Sequence, residues 1–128
     1  MGGTAVITNL ATVTVYVSDQ QKSMDFYVDK LGFEKRADQD MGPMGRWLEV
    51  APPGAATGLV LARADAFGKQ HRVGDSADLV FETGDVHAVH ERLRTQGVAV
   101  TEPDTQAWGT SIKVTDPDGL TVLVRQAR

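Results

Sequence analysis

Hydrophobic and polar residues first alternate over Ala11–Val17. Val13, Val15 and Val17 share one face, and Thr12, Thr14 and Tyr16 share the other. Period-two alternation of β-branched residues predicts a strand. At Ser18 the period changes. Ser18 or Asp19 suits a helix cap, and Ser18 with Gln21 fits a capping box. Met24, Tyr27, Val28 and Leu31 then recur at helical spacing, so residues 20–31 read as an amphipathic helix stopped by Gly32. Phe33–Ala37, Arg46–Ala51 and Gly58–Arg63 read as three further strands. Turn-forming stretches at Asp40–Gly45 and Pro52–Gly54 separate them.

The second half repeats this plan. Asp78–Thr83 reads as a strand. Asp85 caps a helix carrying Val86, Val89 and Leu93, and Gly97 ends it. Val98–Thr101, Ser111–Thr115 and Leu120–Arg125 complete the set, with an Asp116-Pro117-Asp118-Gly119 turn before the last strand. Asp19 registers with Asp85, Gly32 with Gly97, and Gly54 with Gly119. Leu59-Val60-Leu61-Ala62-Arg63 then aligns with Thr121-Val122-Leu123-Val124-Arg125. Each half is a βαβββ unit whose helix covers one sheet face and leaves the other bare, so two units complete one structure. Module one spans about 10–64 and module two about 77–126. The polar stretch 65–76 reads as a mobile linker.

Composition narrows the chemistry. A chain of 128 residues fits one domain, 1–128, at about 100–200 residues per domain. The formal charge of −4 argues against nucleic acid or an anionic membrane as partner. Cysteine is absent, which excludes disulfides, thiolate metal sites and a cysteine nucleophile. Residues 1–9 lack the features of a secretory signal. Met1-Gly2 is followed by Val6 where a myristoylation signal carries Ser or Thr. No apolar run reaches the roughly 18 residues of a membrane span. The expected location is the cytoplasm.

Val17-Ser18-Asp19, Phe26-Tyr27, Leu31-Gly32-Phe33 and the later Asp116-Pro117-Asp118-Gly119, in this order and within the repeat, resemble the vicinal oxygen chelate superfamily. That superfamily includes glyoxalase I, extradiol dioxygenases, fosfomycin-resistance enzymes and bleomycin-resistance proteins. The resemblance covers about residues 10–126. It implies an α+β fold: two βαβββ modules forming a curved mixed β-sheet half-barrel with flanking helices. It also implies a homodimer and a ligand in the hollow of the sheet. Metal enzymes of the superfamily hold their ion with His, Gln or Glu at four positions, which here fall at Thr12, Leu61, Asp78 and Leu123. Leucine has no donor atom, so the expectation is no metal cofactor, with a divalent ion as the alternative. His87 and His90 lie three apart on the second helix but away from its apolar positions, and read as solvent-facing. His71 lies in the linker.

The same positions sort the hollow. Thr12 brings Thr14 and Tyr16. Leu61 brings Leu59 and Arg63. Asp78 brings Val80 and Glu82, and Leu123 brings Thr121 and Arg125. Trp47 and Trp108 offer flat faces for stacking. Trp47/Glu49 and Leu48/Val50 compete for the inward face of their strand, and Trp108 reads equally as a cavity rim or a structural tryptophan. The expected ligand-binding set is Thr12, Thr14, Tyr16, Trp47, Leu61, Arg63, Asp78, Trp108 and Leu123, with no catalytic residue named. It points to a binding protein for a small organic molecule, of the bleomycin-resistance type. The alternatives are a metal-dependent lyase, isomerase or dioxygenase using Asp78 and Thr12, and a structural dimer with a vestigial cavity.

Overall fold

Asp19 sets the first helix. Its carboxylate accepts a hydrogen bond from the Lys22 amide at 3.0 Å, satisfying one donor of the first turn. Ser18 does not cap. It turns instead to module two, where the Asp118 carboxylate accepts from both its amide and its hydroxyl. The computed structural model describes residues 6–75 and 78–128. Ser76 and Ala77, where the linker was expected to end and module two to begin, lie outside the described residues, as do residues 1–5 of the N-terminal reading.

Module one runs β1 (Thr12–Val17), α1 (Gln20–Asp25) continuing as a π turn over Phe26–Lys30, then β2 (Glu34–Asp40), β3 (Arg46–Ala51) and β4 (Gly58–Arg63). Module two runs β5 (Val80–Thr83), α2 (Val86–Thr95), β6 (Asp104–Gln106), β7 (Gly109–Thr115) and β8 (Thr121–Gln126). Each module forms a four-stranded mixed sheet, ordered β1-β4-β3-β2 and β5-β8-β7-β6. The first and last strands of each module pair in parallel, and the other pairs are antiparallel. The fold is the α+β pair of βαβββ modules expected from the repeat.

One apolar core draws on both modules. Val15, Val17, Leu48, Val50 and Leu61 meet Val86, Leu93, Ile112, Val114 and Val122 in it. Phe33 crosses to Phe81 with ring centroids 5.2 Å apart and planes perpendicular, the edge-to-face geometry aromatic pairs prefer. Among the described residues no helix is long and apolar enough to cross a membrane.

Four local expectations change. β5 begins at Val80 rather than Asp78, because Asp78 takes a left-handed backbone conformation (φ 54) that breaks the strand. The expected strand Val98–Thr101 is irregular, yet it still borders β7. The Thr101 amide bonds the Lys113 carbonyl, and the Thr115 amide bonds the Ala99 carbonyl. The regular hairpin partner of β7 is β6 instead. The linker is built, not loose, as far as it is described. It makes short helical turns at Ala64–Phe67 and Gln70–Arg72, and the Arg72 guanidinium lies 5.1 Å from the Tyr16 ring centre. His90, read as solvent-facing, is buried beside Val86 and Leu93, with Nε2 3.6 Å from the Glu102 carboxylate.

Candidate functional site

Strand alternation makes two hollows, one per module, on the sheet faces opposite the helices. In module one, β1 turns Thr14 and Tyr16 into the hollow while Val15 and Val17 join the core. β3 turns Trp47 and Glu49 the same way, because Leu48 and Val50 are fully buried in the core. That resolves the competition for its inward face.

β4 is where the sequence reading fails. Leu61 was expected in the hollow, but it is 0% exposed and sits in the core with Val15 and Val17. The register explains this. Thr14 pairs with Val60 and Tyr16 with Ala62, so Val60 and Ala62 share the hollow face and Leu59, Leu61 and Arg63 take the other. Arg63 follows Leu61 out of the hollow. Its guanidinium donates to Asp65 at 2.7 Å and to the Pro43 carbonyl at 3.0 Å. In module two, Val80 pairs with Leu123. Leu123 therefore corresponds to Val60, and the expected match to Leu61 was one residue out of register. A one-residue slip reverses every side chain.

The hollow of module one is a cavity of about 130 Å³ walled by Thr14, Tyr16, Met41, Trp47, Val60 and Phe67. Trp47 is 39% exposed, a large indole kept half in water. Phe67 comes from the linker and meets Tyr16 edge to face, centroids 6.4 Å apart. Its signal in the sequence was an aromatic residue in an otherwise polar stretch. Gln20 shapes the rim from beneath. Its buried amide donates to the carbonyls of Arg46 on β3 and Leu61 on β4, at 2.7 and 2.8 Å, and accepts from the Arg46 amide. Arg46 also lines the hollow, its guanidinium fixed by a two-pronged bond to Asp38, at 2.9 and 2.7 Å. This guanidinium lowers the Asp38 pKa to about 2.

Glu49 is the carboxylate on this face. It lies across Gly58, where a Cβ would come within 2.6 Å of Oε2 and 3.0 Å of Cγ. The missing side chain at Gly58 makes the space that Glu49 occupies.

The hollow of module two is larger, about 320 Å³, and shallow. Asp78, Val80, Lys113, Thr121 and Leu123 line it. Beyond it Arg125 bonds Glu82 at 2.7 Å. The predicted site residues thus divide. Thr14, Tyr16 and Trp47 come together in one hollow, and Asp78 and Leu123 in the other. Thr12 stands at the start of β1 opposite Gly58. Trp108 is 56% exposed in the turn between β6 and β7, outside both hollows.

A divalent ion does not fit the four positions that the superfamily's metal enzymes use. Thr12 and Asp78 offer oxygen. Leu123 offers nothing, and neither Leu61 nor Val60, which replaces it on the hollow face, carries a donor. Among the described residues no three of His, Cys, Asp and Glu converge.

Residues 9–124 match the family model of the Glyoxalase/Bleomycin resistance protein/Dioxygenase superfamily. The chain belongs to this superfamily. Among solved structures of similar proteins is TnmS3, an antibiotic binding protein from Streptomyces sp. CB03234. It is 40% identical with a TM-score of 0.86, and the match covers 98% of this chain and 100% of that one. A superfamily member from Sphaerobacter thermophilus DSM 20745 is 31% identical with a TM-score of 0.88, covering 96% and 100%. YetH of Bacillus subtilis (strain 168) is 41% identical over 123 residues, 94% of this chain and 100% of the relative.

Proposed function

We propose that this superfamily member binds a small, flat organic molecule in the hollow of module one and holds it without chemical change. The observation that carries the reading is the half-exposed Trp47 facing Tyr16, Met41 and Phe67 across an open cavity. Leaving an indole half in water forgoes burial that would stabilise the fold, and a stacked ligand recovers it. Glu49, which makes no hydrogen bond or ion pair among the described residues, suits an amine or hydroxyl substituent on that ligand. The likeness to an antibiotic binding protein at 40% identity supports the same reading.

No observation favours the metal-dependent lyase, isomerase or dioxygenase, since of its four positions Thr12 and Asp78 alone carry a donor atom. The exposed apolar side chains of Val80 and Trp108 support a homodimer. A cysteine-free chain suits a reducing compartment, and the reading places the protein in the cytoplasm.

The test is tryptophan fluorescence with Trp108→Phe, which leaves Trp47 as the sole reporter. It is titrated with a panel of fused-ring aromatic antibiotics. Saturable quenching at micromolar concentration is expected. Flat titrations across the panel would overturn the proposal. Light scattering reads the oligomeric state directly.

A further inference from the structure

A third cavity lies on the other side of the sheets, where the two modules meet. Its walls come from both. Module one supplies Lys30 at the end of the π turn, Phe33 just after it and Pro52 from the β3–β4 turn. Module two supplies Phe81 of β5 and Arg92 and Leu93 of α2. Its volume is about 160 Å³. That is close to the roughly 150 Å³ of an apolar cavity that accepts benzene, so it suits a single aromatic ring. No residue lining it lines the hollow of either module.

Its charge is one-sided. Lys30 and Arg92 stand at its walls, and neither makes an ion pair among the described residues. Glu82 also lines it, but Arg125 holds that carboxylate at 2.7 Å. The backbone adds a donor. β5 is the edge strand of its sheet. The carbonyls of Leu79 and Thr83 bond toward β8, through the Leu123 and Ala127 amides. In a parallel ladder the alternate residue presents its N–H and C=O to the opposite side, so Glu82 points its amide to the open edge.

An apolar slot for one ring, two cations without partners and a free edge amide call for one kind of ligand. We propose that this inter-module cavity binds a single-ring aromatic carboxylate of the benzoate class, at a site separate from the hollow. Apolar walls take the ring, and Lys30 and Arg92 take the carboxylate. The ligand would bridge the two modules and stabilise their packing, because binding to the native state alone raises its stability.

The experiment uses the full chain, with benzoate and its neutral isostere benzamide as probes. Benzoate at ten times its Kd is expected to raise Tm by about 5 °C. Benzamide is expected to bind at least tenfold more weakly. Lys30→Glu and Arg92→Glu should each weaken benzoate by about tenfold, and Trp47→Ala in the hollow should leave it unchanged. Line broadening of 4-fluorobenzoate in fluorine NMR checks the same ranking without relying on Tm. Equal binding of benzoate and benzamide, loss with Trp47→Ala, or full retention in both charge reversals would each overturn the proposal. So would the absence of any benzoate binding.

Discussion

The Tyr27 hydroxyl donates a 2.9 Å hydrogen bond to the Asp116 carboxylate, joining the helix of module one to the last turn of module two. Both side chains are buried. Asp116 also accepts from the Asp118 and Leu120 amides, at 2.9 Å each, so one carboxylate shapes the turn and anchors the partner module. Removing the hydroxyl alone, in Tyr27→Phe, leaves Asp116 short of one partner in a buried site. The expected loss is about 1–3 kcal/mol of unfolding free energy, measured by urea denaturation. An unchanged midpoint would show that the bond adds nothing net.

Asp116 also carries a pH dependence. Burial pushes its pKa above the usual 3.8, outweighing the hydrogen bonds that pull it down. A carboxyl with a raised native pKa binds its proton more readily folded than unfolded. Its contribution is therefore full below the unfolded value and is lost as pH rises through the raised native value. Asp116→Asn removes that titration. The stability difference, wild type minus Asp116→Asn, should fall as pH rises above about 4, and urea midpoints across that range read it. A difference flat with pH would refute the assignment.

Asp38 runs the opposite way. Arg46 and then Lys35 hold its pKa down to about 2, against an ordinary 3.8. Its contribution is present above the ordinary value and is lost as pH falls toward 2. Asp38 is a surface group, so the readout is its own titration. Arg46→Ala should return the Asp38 carboxyl toward 3.8 in a carbon-detected NMR titration. A carboxyl still titrating near 2 in that variant would place the cause elsewhere.

The register of β4 gives a prediction that separates stability from binding. Leu61→Ala empties a fully buried core position and should cost about 2–5 kcal/mol while leaving the hollow's chemistry in place. Val60→Phe should do the reverse, filling the hollow beside Trp47 with a smaller cost to the fold. Denaturation midpoints and ligand titrations on the two variants decide it. If Leu61→Ala abolished binding at intact stability, Leu61 would face the hollow after all.

The same strand shows why the sequence could be read only so far. β1 alternates valine with threonine and tyrosine, so its two faces were readable at once. β4, Gly58-Leu59-Val60-Leu61-Ala62-Arg63, is buried on both faces through Ala62 and has no alternation to read. Its expected face rests on the superfamily resemblance, which puts Leu61 with Leu123, and both phases of that match look equally apolar. Only pairing with β1 distinguishes them. Trp47 was visible as a stacking residue, but its direction depended on Leu48 and Val50 entering the core. Phe67 could not be placed from a polar linker whose fold rests on contacts with Tyr16. The helices were clearer, because Asp19 and Asp85 are caps defined within four residues of chain.

Gly74 tests how firmly the linker is held. It has φ 75, and a Cβ there would stand 2.5 Å from the Asp118 backbone carbonyl oxygen. Both the dihedral and the contact resist a side chain, and the obstacle is backbone with no rotamer to move. Gly74→Ala should therefore cost at least about 1 kcal/mol, read from the urea midpoint. The linker also carries Phe67 and Arg72 to Tyr16, so the variant should loosen the rim of the hollow and weaken ligand binding as well. A variant as stable as wild type would mean that the linker rests only loosely on the Asp116–Gly119 turn.

The two tryptophans offer the sharpest discrimination. Both are exposed, but Trp47 lines the hollow of module one, with Tyr16 and Phe67 as neighbours, and Trp108 lines neither hollow. Trp108 stands in the turn between β6 and β7. If stacking in the hollow holds the ligand, Trp47→Ala should reduce affinity about tenfold or more, some 1.4 kcal/mol of lost ring contact. Trp108→Ala should leave affinity within about twofold when each protein is titrated above any dimer dissociation constant. Glu49→Gln should discriminate among ligands, weakening those with a protonated amine and sparing neutral ones, because it removes the charge and keeps the shape. Calorimetry with one aminated and one neutral fused-ring compound reads all three variants. If Trp108→Ala carried the loss and Trp47→Ala did not, the ligand would sit at the hairpin tip, and the hollow of module one would be a surface depression without a binding role.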